Sequence, residues 1–229
     1  LRGKFAAKPQ KVEGIIIFIE GRLKQTMDDS LAKHYLEDAI STFRGYKKLA
    51  EKALGQINDE EFFHALDEEA NSVGVIIKHI VGNMLSRWTD FLNTDGEKPD
   101  RNRDMEFVVT AETSRDDLMA QWEKGWSCLF GALEVLQPED VGRKVLIRGQ
   151  EHTVVEAINR QLTHYAYHIG QIVFLAKHFK SAEWESLSIP RNRSAEFNAY
   201  LTESAQTPEG QPRQNRFDAP QDFIRESEK

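Results

Sequence analysis

Three of the chain's seven histidines have the setting of metal ligands. His164 and His168 stand four residues apart in a segment of strong helical periodicity. At about 100° per residue their side chains leave one helix face separated by roughly 40°, so they can share one ligand. Neutral imidazole suits zinc, nickel or iron, and a pair preformed on a helix lowers the ordering cost of binding. A third ligand must come from another helix, and His79, set among Val75, Ile76 and Ile80, is the candidate. His34 and His64 lie in polar contexts, His152 precedes the last long helix and His178 falls near its end. A three-histidine set leaves coordination positions for water or substrate, as in catalytic sites. Histidines at the border of an apolar stripe are also common as partly buried structural residues, and the spacing alone does not separate the two readings.

Polar neighbours extend the set. Asn83 lies one turn beyond His79 and Arg87 one turn further. Arg87 can pair with a carboxylate on a substrate or thiol cofactor, or with an internal Asp or Glu. Gln171 falls near the face of His164 and His168, where it can orient an imidazole or bond between helices. Tyr167 is a candidate for lining a pocket, whereas Tyr165 and the tryptophans Trp88, Trp122 and Trp126 fit core stripes. Cys128, the single cysteine, has no flanking histidine or basic cluster and reads as a packed residue.

These residues need long helices to hold them. Leu31, Tyr35, Ala39, Phe43, Tyr46 and Leu49 recur at three- and four-residue steps and predict a first helix from Asp29 to about Gln56. A second is expected from about Asp67 to Leu92, with Val73, Ile77, Ile80, Met84, Trp88 and Phe91 as its stripe. The turn-rich run Asn93 to Pro99 ends it, and a polar loop follows to about Met105. The acidic runs Asp59-Glu60-Glu61 and Asp67-Glu68-Glu69 fit solvated surface or helix N-termini. A capping hydroxyl at Thr113 or Ser114 opens the third helix, which stops before Pro138. Val145 to Gln150 reads as a short strand or hairpin arm. Thr153 and Glu156 have capping-box spacing and open the fourth helix, which runs to about Lys180. The expected fold is all-α, a four-helix bundle with a short strand-like segment before its fourth helix. Residues 1–26 are expected to be a flexible extension, 27–205 the bundle, with a short helix near Ser194–Thr202, and 206–229 a flexible tail.

Composition narrows the function classes. The net charge of -7 and pI of about 5.6 offer no broad electrostatic footprint for nucleic acid or an anionic membrane. One cysteine excludes an intramolecular disulfide framework and zinc sites built on paired cysteines. No apolar run reaches the roughly 18 residues of a membrane span, and Ile15–Ile19 is too short for a secretory core. Cytoplasmic residence is the expectation.

The stretch Leu162-Thr163-His164-Tyr165-Ala166-Tyr167-His168-Ile169-Gly170-Gln171-Ile172, taken with His79 in the second helix, resembles the DinB/YfiT-like superfamily. The likeness covers about Met27 to Thr202. Ile77–Met84, Arg87–Leu92 and Ser186–Arg191 resemble a branch of unassigned function. The resemblance implies a four-helix bundle in which His79, His164 and His168 bind a divalent metal. Characterised relatives include transferases and an isomerase that use a low-molecular-weight thiol. It therefore implies transfer of such a thiol to a small electrophilic substrate; a homodimer is a separate expectation, tied to the surfaces of the bundle. Metal-assisted hydrolysis is a second reading, although no carboxylate follows the histidines as in HExxH. A non-enzymatic module stabilised by its metal is a third.

Overall fold

The computed structural model places the backbone of residues 10–205 and 218–227 and describes side chains from Asp28 on, those of Ser204, Ala205 and Gln221 excepted. The fold is mostly helical. Helix α1 (Gln10–Leu54) leads to the short α2 (Asp59–Phe63), then α3 (Val73–Trp88) and α4 (Arg115–Leu133). A hairpin of β1 (Lys144–Ile147) and β2 (Gln150–Thr153) precedes α5 (Val154–Lys180), α6 (Ser194–Ala205) and α7 (Ala219–Ser227). Helix α3 packs on α4 and α5, and α1 packs on α5 and α4, so the four long helices close around one core.

Local chemistry sets most helix starts. Ser72 Oγ accepts from Val75 N at 3.3 Å and Ser114 Oγ from Asp117 N at 3.1 Å. At α5, Thr153 Oγ1 accepts from Glu156 N while Glu156 Oε2 accepts from Thr153 N, a reciprocal capping box. Such caps contribute about 1 kcal/mol each. The hairpin turns through Arg148 and Gly149, both at positive φ (55° and 72°), as a tight two-residue turn between twisted strands requires.

Aromatic side chains fill the centre. Phe43 of α1 meets Trp88 of α3 and Tyr165 of α5 at ring distances of 6.2 and 5.8 Å, and Trp126 of α4 meets Tyr165 at 6.1 Å. All four are essentially inaccessible to solvent. Tyr165 Oη accepts from Trp88 Nε1 at 3.1 Å and donates to Asn83 Oδ1 at 3.0 Å. A buried hydroxyl needs such partners, and this chain locks the register of α3 against α5.

Several expectations are corrected. Helix α1 starts at Gln10 rather than Asp29, so the helix runs back into the segment read as an extension; residues 1–9 lie outside the described residues. Leu31, assigned to its apolar stripe, is 71% exposed because residues around it have no covering element among the described residues. The second long helix begins at Val73, not Asp67. Asp67 Oδ1 instead accepts from Glu69 N and Ala70 N, a turn that ends before the Ser72 cap. In the expected tail, α7 seats Phe223 against Phe197 and Tyr200 of α6, at 5.5 and 5.6 Å. Lys48 of α1 pairs with Asp218 at its entrance, while residues 206–217 lie outside the described residues. No helix among the described residues is long and apolar enough to cross a membrane.

Candidate metal centre

Two helices bring the three histidines together. His79 sits one turn before Asn83 on α3, and His164 adjoins Tyr165 on α5, so the Tyr165–Asn83 hydrogen bond fixes both helices at the level of the site. His164 Nε2 lies 3.1 Å from His168 Nε2 and 3.3 Å from His79 Nε2. One ring nitrogen from each residue falls within 4.8 Å of the others. His79 and His168 are buried and His164 is partly so.

Groups outside the cluster fix which nitrogens face inward. His79 Nδ1 lies 2.8 Å from Glu106 Oε2; a carboxylate only accepts, so Nδ1 carries the proton. His168 Nδ1 likewise donates to Gln171 Oε1 at 2.8 Å, while Gln171 Nε2 donates to Tyr167 Oη at 3.2 Å. Both Nε2 lone pairs therefore point at His164, whose own Nε2 can supply at most one proton to two acceptors. Lone pairs this close repel one another unless a cation lies between them. Two nitrogens at about 2.0–2.1 Å from a tetrahedral ion stand about 3.3 Å apart, close to the observed spacings. The donor set fits a divalent metal, and the outward Nδ1–H bonds to carboxylate and amide are the supports such ligands need.

Electrostatics keep the donors free. Burial, aided by the neighbouring imidazoles and the charges of Arg87 and Arg101, pushes the His164 pKa down to about 3. Burial and His79 push His168 down to about 4 against the opposing Gln171 hydrogen bond. Both are neutral at pH 7, the form a metal requires. Burial disfavours ionised Glu106, but hydrogen bonds from His79 and Arg101 and the Arg101 charge outweigh it and hold the carboxyl below its ordinary range. Arg101 clamps that carboxylate through Nε at 2.8 Å and Nη2 at 3.0 Å. Gly82 makes room for it, since a Cβ there would collide with the Glu106 carboxylate.

A cavity of about 480 Å³ opens beside His79 and His164, with Asn83, Arg87 and Gln161 in its wall. Arg87 is 3% exposed, yet its one ion pair is long, with Nη2 3.9 Å from Glu97 Oε2, and Nε and Nη1 have no partner among the described residues. An unmet buried donor costs roughly 1–3 kcal/mol and more when charged. Burial, reinforced by the charges of Arg101 and Arg160 and partly offset by Tyr165 and Glu97, lowers the Arg87 pKa. The guanidinium fits only because residue 96 is glycine, where a Cβ would lie 2.8 Å from Nη1. Asp95 fastens this loop to the hairpin by accepting from Arg148 N and Gly149 N at 2.8 and 2.6 Å. Tyr167 stands 61% exposed beside the His168 ring and outside the cavity wall. Cys128 is partly buried with Sγ 3.5 Å from Thr89 Oγ1, away from the histidine cluster and its cavity wall.

Asn83 and Arg87 thus reach the cavity, and Gln171 supports a histidine. Arg101 in the polar loop and Glu106 in the single 3-10 turn that ends it (Asp104–Phe107) stand at no spacing related to the histidines, so no sequence pattern marks them. The fold and site define a mostly helical protein with a three-histidine cluster able to hold a metal ion. The chain belongs to the family described as protein of unknown function (DUF1572), which matches residues 30–193. No curated protein and no solved structure matches it.

Proposed function

We propose that the chain is a metal-dependent enzyme on a DinB/YfiT-like four-helix bundle, transferring a low-molecular-weight thiol to a small electrophile. The observation that carries this reading is the convergence of three imidazole nitrogens, two with their protons held outward, at the edge of a cavity. His79, His164 and His168 would hold zinc or nickel, with iron also compatible with imidazole. When bound, the ion supplies Lewis acidity that stabilises a thiolate at neutral pH.

The protein's own groups do the rest. Glu106 and Arg101 orient His79, and Gln171 orients His168. The partial exposure of His164 and the adjoining cavity give a small molecule access, which favours chemistry over a closed structural site. Hydrolysis is less well served: the nearest carboxylate, Glu106, has both oxygens engaged by Arg101 and His79 and is not free as a general base.

Elemental analysis of the purified chain beside His79→Ala and His164→Ala tests the centre. One equivalent of metal in the parent and its loss in both variants is expected. Stoichiometric metal retained in both would refute the triad. A metal-loaded protein that turns over ester or amide substrates but no thiol and electrophile pair would replace transfer with hydrolysis.

A further inference from the structure

Five arginines, Arg87, Arg101, Arg103, Arg148 and Arg160, line the cavity beside the histidines, and no acidic side chain lines it among the described residues. The carboxylates around it cannot satisfy them. Glu106 is taken up by Arg101 and His79. Glu97 Oε2 alone faces three guanidiniums, at 3.1 Å from Arg101, 3.3 Å from Arg148 and 3.9 Å from Arg87. Asp95 spends its oxygens on three backbone N–H groups. Arg160 makes no ion pair among the described residues, and Arg103 only stacks over Phe107 at 5.1 Å. Even counting Glu97, Glu106 and Asp95, positive charge exceeds negative by two.

An internal salt-bridge network would bring acids and arginines to parity and leave no buried donor idle. Here the most buried arginine, Arg87, keeps two donor nitrogens unmet. Nη2, the nitrogen that forks with either unmet one, has only Glu97 at 3.9 Å, so in a concave site of ligand size the guanidinium matches a bidentate oxyanion. Gln161, 1% exposed in the same wall, has an amide oxygen without a partner, so the ligand should also carry an O–H or N–H donor.

We propose that this cavity binds the oxyanion of a small hydroxylated or aminated substrate or cosubstrate, a carboxylate or phosphate, with Arg87 as its buried anchor and Arg160, Arg148 and Arg103 as the outer ring. The inference names the substrate class of the site proposed above and rests on that reading for its catalytic meaning, but the anion site stands on the arginines alone. Bound there, the anion lies next to His79 and His164, which places the rest of the molecule at the histidine cluster.

Calorimetric titration of the chain, metal-loaded and metal-stripped, tests it with inorganic phosphate, malonate and uncharged malonamide. Saturable binding of phosphate or malonate is expected, with malonamide silent; the tighter of the two anions identifies the group. Arg87→Gln and the exposed Arg160→Gln should each weaken binding about tenfold or more, the loss of one charge-assisted pair, while metal content stays at the parent level. Arg160→Gln keeps the test decisive if the buried variant does not fold. Anion binding unchanged in Arg160→Gln and in any folded Arg87→Gln would overturn the proposal, as would no binding at all. Binding that vanishes in metal-free His164→Ala would assign the anion to the metal and overturn it too. Failure of the metal reading looks different: no metal in the parent, with anion binding still arginine-dependent.

Discussion

Helices α3 and α5 build two neighbouring regions by opposite rules. In the aromatic centre, Trp88, Tyr165 and Asn83 close a chain of hydrogen bonds within tightly packed rings. One turn away, three imidazoles crowd their lone pairs together and Arg87 leaves two donors unmet. The centre has its own unmet donor, Trp126 Nε1, but an indole N–H carries no charge. Closed polar groups fix the register of two helices; the open donors of Arg87, in the same register, have no partner among the described residues. Stability and function are therefore separable by mutation.

The largest stability loss belongs to the centre. Trp126→Ala should cost roughly 3–5 kcal/mol in urea unfolding, with the folded fraction still binding metal. Metal loss in protein shown to be folded would mean that the two regions are not separable. Tyr165→Phe removes both hydrogen bonds of the register lock and should cost about 2–4 kcal/mol, since Asn83 Oδ1 and Trp88 Nε1 are left buried and unpaired. A cost near zero would show that register is held by packing alone.

Changes at the site should move metal affinity more than stability. Glu106→Gln weakens the support of His79 and should lower metal affinity about ten- to a hundredfold by competition with a chelating dye. Gly82→Ala, which drives the carboxylate out of its place, should act in the same direction. Unchanged affinity in both would remove Glu106 from the site.

The metal-free protein should also lose stability as pH falls from 6.5 toward 5. His164 and His168, at about 3 and 4 in the fold against 6.5 as the ordinary value, refuse protons that the unfolded chain accepts in that window. Their contribution is complete above 6.5 and is lost as pH falls through the folded values. His164→Ala/His168→Ala should flatten the slope above pH 5, where carboxylates scarcely titrate; an unaltered slope would contradict burial of neutral imidazoles. The smallest effect is expected at Arg87→Met, which exchanges unmet buried donors for an apolar chain and should stabilise the anion-free protein by about 1 kcal/mol. Clear destabilisation would mean that the unmet donors are paired in solution.

Much of this architecture is legible in the sequence. The caps at Ser114 and Thr153 and the histidine pair depend on residues within four positions of one another, and the strand read over Val145–Gln150 is a hairpin whose partners lie within nine. The start of α1 is missed because residues 10–26 carry no sustained apolar period, and that of α3 because Asp67 caps a turn rather than a helix. Helix α7 was hidden by a polar composition whose aromatic contact, Phe223 on Phe197, is supplied by another helix.

By itself the sequence determined the helix periods, their caps and three histidines of suitable type, since rotation per residue and capping bonds act over a single turn. Only the tertiary structure decided that His79 meets His164 across 85 positions, that Glu106 holds its ring, and that Arg87 is buried with two donor nitrogens unmet. Those contacts come from packing α3 against α5 and folding a loop over Gly82, and pairings between distant segments leave no period in the chain for a local pattern to reveal.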